Sequence, residues 1–339
     1  MEHKTMAEHR TKPIEEFLYR DLHPQVFMGT ASDRYAGWVG QIYSSHRYGG
    51  KISARSKTLG GKVFREEVLP VESVQQFFEH FSILEMDFTF YRPLLDKNSE
   101  PTTNYRVLQT YRKYLRANDR VILKVPQLVF AQKVRRGNTF VENPDYLNAD
   151  IFTRQFYEPA CAILGDCISG FIFEQEYQPK RERTSLDEYA DMVDTFIRKI
   201  PRDDRYHMEI RTESLLSPAY FHVLEKHGIG QVLSHWTWLP TLRKQFAKNH
   251  GRFLNSGRQC VIRLMTPLGM RYEEAYAKAY PFNRMIEGMM TPGMIEDTVE
   301  LMNRGIEHGV GMNVVINNRA GGNAPMIARR ISERFLQPD

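Results

Sequence analysis

Charged residues stand inside short apolar segments of this chain, where a strand would ordinarily carry apolar side chains. The segment 84–89 reads Leu-Glu-Met-Asp-Phe-Thr and contains Glu85 and Asp87, and a second segment contains Glu209 and Arg211. Residues two apart on a strand share a face, so Arg211 can hold a carboxylate or phosphate while Glu209 acts as an acid or base. We therefore predict three catalytic carboxylates, Glu209, Glu85 and Asp87.

Other polar side chains near the ends of apolar segments are candidate contacts to a ligand. They combine cations, an acid, hydrogen-bonding groups and aromatic rings: Arg211, Arg263, Lys124, Asn317, Tyr91, Thr89, Glu174, His235 and Trp236. Arginine and lysine would hold an anion, and a tryptophan would stack a sugar ring or a base. The alternative is a structural ring of ion pairs that plugs the interior, because buried charges are costly unless they are paired.

Eight apolar segments alternate with helical patterns and must position these residues. The predicted strands are Val26–Thr30, Ile83–Phe88, Val121–Val125, Ile168–Glu174, Tyr206–Arg211, Gly230–Ser234, Cys260–Met265 and Gly311–Asn317. Such alternation implies parallel pairing, and eight βα units close a barrel. The predicted fold is α/β, a (βα)8 TIM-like barrel with insertions in the loops after strands one, three and seven (33–67, 127–149 and 270–292). An open doubly wound sheet is the competing architecture, but no GxGxxG fingerprint follows the first strand.

A barrel brings the C-terminal ends of its strands together at one mouth, where this fold builds its sites. The hydrophobic share of 42% is enough for a sizeable core. We expect an N-terminal extension over residues 1–25 and a single barrel domain over residues 26–339.

Basic residues cluster in three of the loops that would surround this mouth. The segment 44–65 carries six of them and no acid: Arg47, Lys51, Arg55, Lys57, Lys62 and Arg65. The other clusters are Lys133, Arg135 and Arg136, and Lys180, Arg181 and Arg183. Two Gly-Gly pairs predict that the first segment is flexible. With a net charge of +5, the chain is expected to attract a small anionic molecule or a nucleic acid backbone; the alternative is solvated loops that are basic by chance.

Patterns for metal, covalent and membrane chemistry are weak. The chain has 11 histidines but no HExxH, and no GxSxG elbow, so we predict no metal and no cofactor. A magnesium site made of Glu85, Asp87 and Glu209 is left open. Three cysteines without a CxxC pair fit a reducing compartment. With no apolar run of membrane-spanning length and no secretory signal, we expect a cytoplasmic protein without a membrane partner.

The ordered succession of short motifs resembles the YecE-like barrels, a family of domains of unknown function. Residues 27–38 resemble the opening of that family, and residues 81–92 resemble its E-I-N-x-T-F-Y stretch. Further matches are Leu-Lys-Val-Pro (123–126), Met-Glu-Ile-Arg (208–211), Ile-Arg-Leu (262–264) and Val-Ile-Asn-Asn (315–318) followed by Ala-Pro (324–325).

The resemblance implies a TIM barrel and no established activity. The family's recurrent polar residues fall on Glu85, Thr89, Tyr91, Lys124, Glu209, Arg211, Arg263 and Asn317. The chain departs from the family where Asp87 replaces a usual Asn, where Glu-Gln-Glu (174–176) replaces a Gln-Leu-Pro stretch, and in its long 33–67 insertion. These changes add acidic residues inside the barrel and basic residues at its rim. The substrate of a typical family member therefore need not be the substrate of this chain.

Three functions remain open from the sequence, and two of them are enzymatic. The leading hypothesis is an enzyme that binds an anionic, phosphate-bearing ligand at the mouth, a phosphoester hydrolase acting on nucleic acid. A carbohydrate-active or isomerising enzyme would instead use Glu85 and Glu209, with Trp236 or Trp238 as a platform. The third is a barrel that binds a ligand without catalysis. Nothing in the sequence indicates the oligomeric state.

Overall fold

The alternating apolar segments build a closed barrel, as predicted. The computed structural model describes residues 14–137 and 139–337. In this part of the chain the strands are, in order, β1 (Val26–Ala31), β2 (Ser53–Leu59), β3 (Lys62–Val68), β4 (Ile83–Met86), β5 (Arg120–Lys124), β6 (Lys133–Arg136), β7 (Thr139–Glu142), β8 (Ile168–Glu174), β9 (Tyr206–Glu209), β10 (Gly230–His235), β11 (Gln259–Leu264) and β12 (Gly311–Ile316). Eight of them pair in parallel and close in the order β1-β12-β11-β10-β9-β8-β5-β4. The fold is therefore a (βα)8 TIM barrel.

Helices lie in the segments between the barrel strands and after the last of them. They are α1 (Ser45–Tyr48), α2 (Val74–His80), α3 (Thr103–Arg112), α4 (Gln127–Phe130), α5 (Glu158–Leu164), α6 (Leu186–Ile197), α7 (Pro218–His227), α8 (Leu242–Lys248), α9 (Tyr272–Ala279), α10 (Met294–Glu307) and α11 (Ala324–Leu336). Local sequence sets their ends. Ser217 caps α7 by accepting a hydrogen bond from the Tyr220 N–H, and Gly228 ends it with φ of 65°.

Side chains alternate along the barrel strands and so build two cores. Outward side chains such as Leu84, Leu123 and Phe173 pack in a large core that also contains helix residues. Inward side chains form a smaller core in the barrel: Ala31, Ile83, Ile122, Ile172, Val232, Val261, Met265 and Val315. The inward position two residues after Ile83, Ile122, Ile172 or Val261 is charged in each case, and these charges form the layer above the small core.

The three predicted insertions carry secondary structure of their own. The loop after β1 contains the hairpin β2–β3, the loop after β5 contains the hairpin β6–β7, and the loop after β11 contains α9. Gly60 and Gly61 make the turn between β2 and β3 with φ of 56° and 75°, values that favour glycine. The segment predicted to be flexible therefore forms an antiparallel hairpin, because its glycine pair is a tight turn.

The strand β4 ends at Met86, two residues before its predicted end. A 3-10 helix over Asp87–Phe90 follows it directly. Strand alternation stops at this point, so Glu85 and Asp87 do not share a face as predicted. This early end separates two of the three predicted catalytic carboxylates.

Part of the predicted N-terminal extension packs on the barrel domain. The Tyr19 hydroxyl donates to the carbonyl of Pro325 (2.9 Å), and Arg20 pairs with Asp119 (3.0 Å). Residues 1–13 of the extension lie outside the described part of the chain. The division of the chain after residue 25 stays a prediction.

Candidate functional site

The charged inward layer is centred on Arg263 of β11. Its Nε and Nη2 donate to the two carboxylate oxygens of Glu85 on β4 (2.7 and 2.6 Å). Its Nη1 donates to Glu209 on β9 and to Glu174 on β8, the latter at 3.1 Å. Glu85 and Glu209 are 0% exposed and Arg263 is 1% exposed. Three carboxylates from three strands thus surround one guanidinium.

Glu174 links this centre to the mouth of the barrel. Its Oε2 lies 2.5 Å from Nζ of Lys124 and accepts a hydrogen bond from Nη2 of Arg211 at 2.8 Å. The same Nη2 lies 3.3 Å from Oε1 of Glu209, although Arg211 follows the end of β9. Glu209 and Arg211 therefore face the same network, as their spacing predicts.

The layer is electrically balanced, because three glutamates meet three cations. Burial raises the pKa of Glu85 although Arg263 and Lys124 oppose it. Burial would also raise the pKa of Glu174, but Arg211, Lys124 and Arg263 outweigh it and hold that pKa below its usual range. Burial lowers the pKa of the Arg263 guanidinium, but the carboxylates outweigh that effect and raise it. These are the contacts of an ion-pair ring, the structural alternative that the sequence left open.

Glu85 and Glu209 consequently have no free surface from which to act on a ligand. Each is fully buried, and each hydrogen-bonds Arg263. A guanidinium occupies the space between the two carboxylates, where a sugar bond would have to lie. In the described structure their contacts hold Arg263 in place, and their catalytic role stays a prediction.

At the mouth itself two cations lie on aromatic rings. Nζ of Lys124 lies 3.9 Å from the centre of the Phe90 ring, and the Arg211 guanidinium lies 4.7 Å from the Trp236 ring. Nε of Arg211 has no hydrogen-bond partner among the described residues. The predicted contacts Lys124 and Arg211 therefore meet at Glu174, and Trp236 lies beside Arg211, while Lys124 is buried.

Asp87 and Tyr91 lie elsewhere, on the wall of a cavity of about 910 Å³. Its walls come from the hairpin β2–β3, the loop after β1, α3, α9 and the turn after β12. Eight aromatic rings line it: Tyr35, Phe88, Tyr91, Tyr111, Tyr272, Tyr276, Tyr280 and Phe282. We call it the tyrosine cavity. Large clefts of this kind are the preferred places for small ligands.

Cations outnumber acids in the tyrosine cavity. Five basic residues and three acidic ones line it: Arg34, Arg55, Lys57, Arg65 and Arg319, with Glu66, Glu67 and Asp87. The Arg319 guanidinium lies 4.3 Å from the Tyr272 ring, and its Nε has no hydrogen-bond partner within the described chain. Arg319 and Tyr272 were not predicted from the sequence as site residues, although Arg319 directly follows the Asn-Asn pair at the end of a predicted strand.

Behind the wall of this cavity lies Asp33, a third residue that the sequence analysis missed. Its Oδ1 accepts a hydrogen bond from the hydroxyl of Tyr111 (2.8 Å), a cavity residue, and its Oδ2 has no partner among the described residues. Burial raises the pKa of Asp33 to about 6, against the Tyr111 hydrogen bond. The preceding Ser32 has φ of 69°, which is strained for a residue with a side chain. Asp33 lies just after β1, and this position at the end of a barrel strand is the sequence signal that could have identified it.

The side chains of Thr89 and Asn317 hydrogen-bond backbone groups, and their predicted contact with a ligand stays a prediction. The Thr89 hydroxyl donates to the carbonyl of Lys124 (2.7 Å) and accepts from its N–H (3.1 Å), which fixes the end of β5. Asn317 accepts from the N–H of Arg319 (3.0 Å) and so caps the turn that carries Arg319. Both residues shape the site through the cations that they position.

His235 lies on the outward face of β10, while Val232 and Trp236 face the barrel interior. Its Nδ1 donates to the carbonyl of Thr266 (2.8 Å), and burial lowers its pKa. The predicted ligand contact is therefore placed away from the mouth, because it falls on the other side of the strand alternation.

Much of the predicted basic charge is neutralised locally. Arg55 and Lys57 pair with Glu66 (2.7 and 3.2 Å), and Lys133 pairs with Glu182 (2.6 Å). The side chains of residues 135 and 136 lie outside the described part of the structure.

The described residues contain no group of three or more His, Cys, Asp or Glu side chains arranged to hold a metal ion. The open magnesium site fails on geometry, since Asp87 lies in the tyrosine cavity while Glu85 and Glu209 hold Arg263. In the same part of the chain, no helix combines the length and the apolar character needed to cross a membrane.

Comparison with known proteins identifies the family. The family model described as protein of unknown function DUF72 matches residues 27–338. A DUF72 family protein from Enterococcus faecalis has a TM-score of 0.53 at 14% identity, with 93% of this chain and 98% of that chain covered. A second one, from Thermotoga maritima, has a TM-score of 0.53 at 15% identity, with 92% and 100% covered. At these identities the likeness supports the fold alone, and no curated protein matches the chain. The chain belongs to the DUF72 family, for which YecE-like is another name.

Proposed function

We propose that the protein is a phosphoester hydrolase that binds an anionic, phosphate-bearing ligand in the tyrosine cavity. The proposal rests on one observation. Asp87 and Arg319 line the same cavity, and neither side chain forms an ion pair within the described residues. A carboxylate that is free to take a proton and a guanidinium that is free to bind phosphate are the two groups that this reaction needs.

Arg319 is the anchor for the anion. Its guanidinium lies 4.3 Å from the centre of the Tyr272 ring, and its Nε still lacks an acceptor in the described chain. A planar guanidinium binds phosphate through paired hydrogen bonds, and the ring orients it beforehand. The excess of cations over acids in the cavity adds long-range attraction for a negative ligand.

The aromatic walls set the kind of ligand. Six tyrosines and two phenylalanines offer ring faces and hydroxyl groups, and a volume of about 910 Å³ exceeds what inorganic phosphate needs. A phosphate that carries a ring, as in a nucleotide, fits these walls better than a bare anion.

Asp87 supplies the proton transfer. A water molecule attacks phosphorus while Asp87 takes one of its protons, so a new P–O bond forms as the bond to the leaving oxygen breaks. The leaving oxygen takes a proton from solvent and departs as an alcohol, Asp87 returns its proton to solvent, and phosphate remains on Arg319. The ester and one water molecule thus give an alcohol and phosphate.

The other two functions have less support. The carbohydrate hypothesis requires Glu85 and Glu209 on either side of a substrate bond, but both are buried against Arg263. The non-catalytic hypothesis predicts ligand binding that is independent of the carboxylate on the cavity wall. The two remaining hypotheses therefore differ in what Asp87 does after binding.

The test combines binding and turnover. Calorimetry at low salt with nucleoside monophosphates, sugar phosphates and bis(p-nitrophenyl) phosphate should give binding that Arg319→Ala weakens at least about tenfold, the loss of one good charge-assisted contact. Asp87→Asn should keep binding and lose turnover, measured as phosphate release from the monoesters and as p-nitrophenol release from the diester. Arg304→Ala, which removes a half-exposed arginine on α10, is the matched control.

Each part of the proposal can fail separately. Absence of binding to every phosphate at low salt overturns it, and so does binding that ignores Arg319. Binding without turnover in both the wild type and Asp87→Asn overturns the hydrolase and leaves a binding barrel.

A further inference from the structure

A second cavity of about 370 Å³ opens beside the mouth of the barrel. The segments that line it follow the strands β8, β9 and β10. Its walls include Tyr177, Arg183, Glu213, Ser214, Trp238 and Lys248. We call it the tryptophan cavity. It contains none of the residues that line the tyrosine cavity.

Two large aromatic side chains of the tryptophan cavity are exposed. Tyr177 is 39% exposed and Trp238 is 41% exposed, with their ring centres 5.8 Å apart. The other two tryptophans differ: Trp38 is buried, and Trp236 lies under the Arg211 guanidinium. An exposed ring that borders a polar cavity is available to stack a flat group of a ligand.

One cation of this cavity is free to bind an anion. Lys248 lies 3.5 Å from a carboxylate oxygen of Glu213, so these two charges offset each other. Arg183 donates from Nε to the carbonyl of Gln178 (3.2 Å) and forms no ion pair within the described residues. Like the tyrosine cavity, the tryptophan cavity thus combines ring faces with an unneutralised arginine.

The two cavities lie on opposite sides of the mouth. In the closed order of eight strands, β8, β9 and β10 stand four places from β12, β1 and β4 respectively, and those three strands lead into the tyrosine cavity. Arg211 follows β9, and its guanidinium lies 4.7 Å from the Trp236 ring. The ring centre of Trp236 lies 6.3 Å from that of Tyr177, so this pair adjoins the tryptophan cavity.

The mouth therefore repeats one unit, an arginine beside an aromatic ring, three times. The three units are Arg319 with Tyr272, Arg211 with Trp236, and Arg183 with Tyr177 and Trp238. Arg319 and Arg183 form no ion pair within the described residues, whereas Arg211 is paired with Glu174 and Glu209. The repeat therefore matches a ligand that carries a ring in every unit and negative charges that the two outer arginines can bind. We propose that the ligand is a single-stranded nucleic acid segment that crosses the mouth from the tyrosine cavity to the tryptophan cavity. This inference rests on the proposed function and extends it from a mononucleotide to a chain.

The geometry favours a single strand over a duplex. A base can stack on a protein ring only when its face is free, whereas the bases of a duplex are stacked on each other. Concave cavities that hold ring faces at their walls accept one unstacked base each. Acidic polysaccharides also carry rings and charges, and they serve as the competing ligand in the test.

The experiment measures affinity against ligand length. Fluorescence anisotropy is measured with oligothymidylates from the mononucleotide to about eight nucleotides, a length typical of single-strand sites. The protein carries Asp87→Asn to prevent turnover. Affinity should rise with length until the mouth is spanned. Trp238→Ala should lower affinity for the longest oligomer at least about fivefold, the effect of losing one stacked base, and leave thymidine monophosphate unchanged. Phe140→Ala, at a 71% exposed ring that lines neither cavity, is the control.

The outcomes separate this inference from the proposed function. Affinity that ignores length, while the monophosphate still depends on Arg319, overturns the spanning strand and leaves the proposed function intact. Equal affinity for the matching duplex, or tighter binding of oligogalacturonate, also overturns it. If neither monomer nor oligomer binds, the proposed function fails with it.

Discussion

Arg263 and Glu85 form a two-pronged ion pair across the barrel interior, with N–O distances of 2.7 and 2.6 Å. Their strands, β11 and β4, are not neighbours, since β12 and β1 separate them in the closed order. The pair therefore ties two sides of the barrel together above its apolar layer. Because Glu174 and Glu209 also bind the guanidinium, removal of Arg263 would leave three carboxylates buried without their central cation.

Arg263→Met should lower the free energy of unfolding by about 3–5 kcal/mol, the usual cost of removing one partner of a buried pair. Urea denaturation measures it, and Arg304→Ala at the surface should stay within about 0.5 kcal/mol of the wild type. Adding Glu85→Met to Arg263→Met should recover part of the loss, because the second change removes one uncompensated charge. Equal stability of Arg263→Met and the wild type would contradict an ion-pair network at this position.

Asp33 gives a pH dependence with a defined sign. Its pKa is about 6 in the folded protein and 3.8 ordinarily, because burial favours the neutral carboxyl. Because its pKa is raised in the folded protein, the contribution of Asp33 to the free energy of unfolding is fully present below about pH 4. That contribution is lost as the pH rises through 6. Asp33→Asn should therefore be more stable than the wild type at pH 7, by about 3 kcal/mol at most, and nearly equal to it at pH 4.

The measurement is urea denaturation of both proteins between pH 4 and 7.5. Asp194→Asn provides a control of opposite sign, since hydrogen bonds from Lys226 and His227 lower the pKa of Asp194 to about 2. That variant should lose stability at neutral pH and not gain it. A difference between Asp33→Asn and the wild type that does not change with pH would show that Asp33 is already ionised when folded.

The barrel and its charged layer were predictable because both follow from period-two alternation. Ile83 and Glu85, or Val261 and Arg263, stand two residues apart, so an inward apolar residue predicts an inward charge. The partners of those charges were not predictable. Whether Arg263 meets a ligand or three glutamates depends on the stagger of strands that are far apart in the sequence.

The tyrosine cavity shows the same limit more strongly. Asp87, Tyr272 and Arg319 come from three loops, and no local pattern states that these loops meet. The position rule for barrels identified Asp87, which follows a strand end, and could also have identified Arg319, which the sequence analysis did not select. His235 shows the limit of this rule, since it stands at the end of β10 but on the outward face of the strand.

The hairpin β2–β3 forms one wall of the tyrosine cavity, and its turn depends on glycine. Gly61 has φ of 75°, and no atom lies within 4 Å of the point where a Cβ would stand, so a side chain there meets backbone strain and no clash. Gly61→Val should cost roughly 1–2 kcal/mol and loosen the hairpin. Gly50→Val is the matched control, because Gly50 also has open space around it but lacks a positive φ.

Hydrogen exchange over residues 53–68 should therefore speed up in Gly61→Val and stay unchanged in Gly50→Val. The hairpin is also fastened to α9, where the Tyr276 hydroxyl donates to Glu66 and Lys57 lies 4.4 Å from the Tyr276 ring. Because this fastening is retained, global unfolding by urea should shift less than local exchange. If the two variants exchange alike, the turn does not limit the hairpin, and the wall of the cavity is held by its contacts with α9 alone.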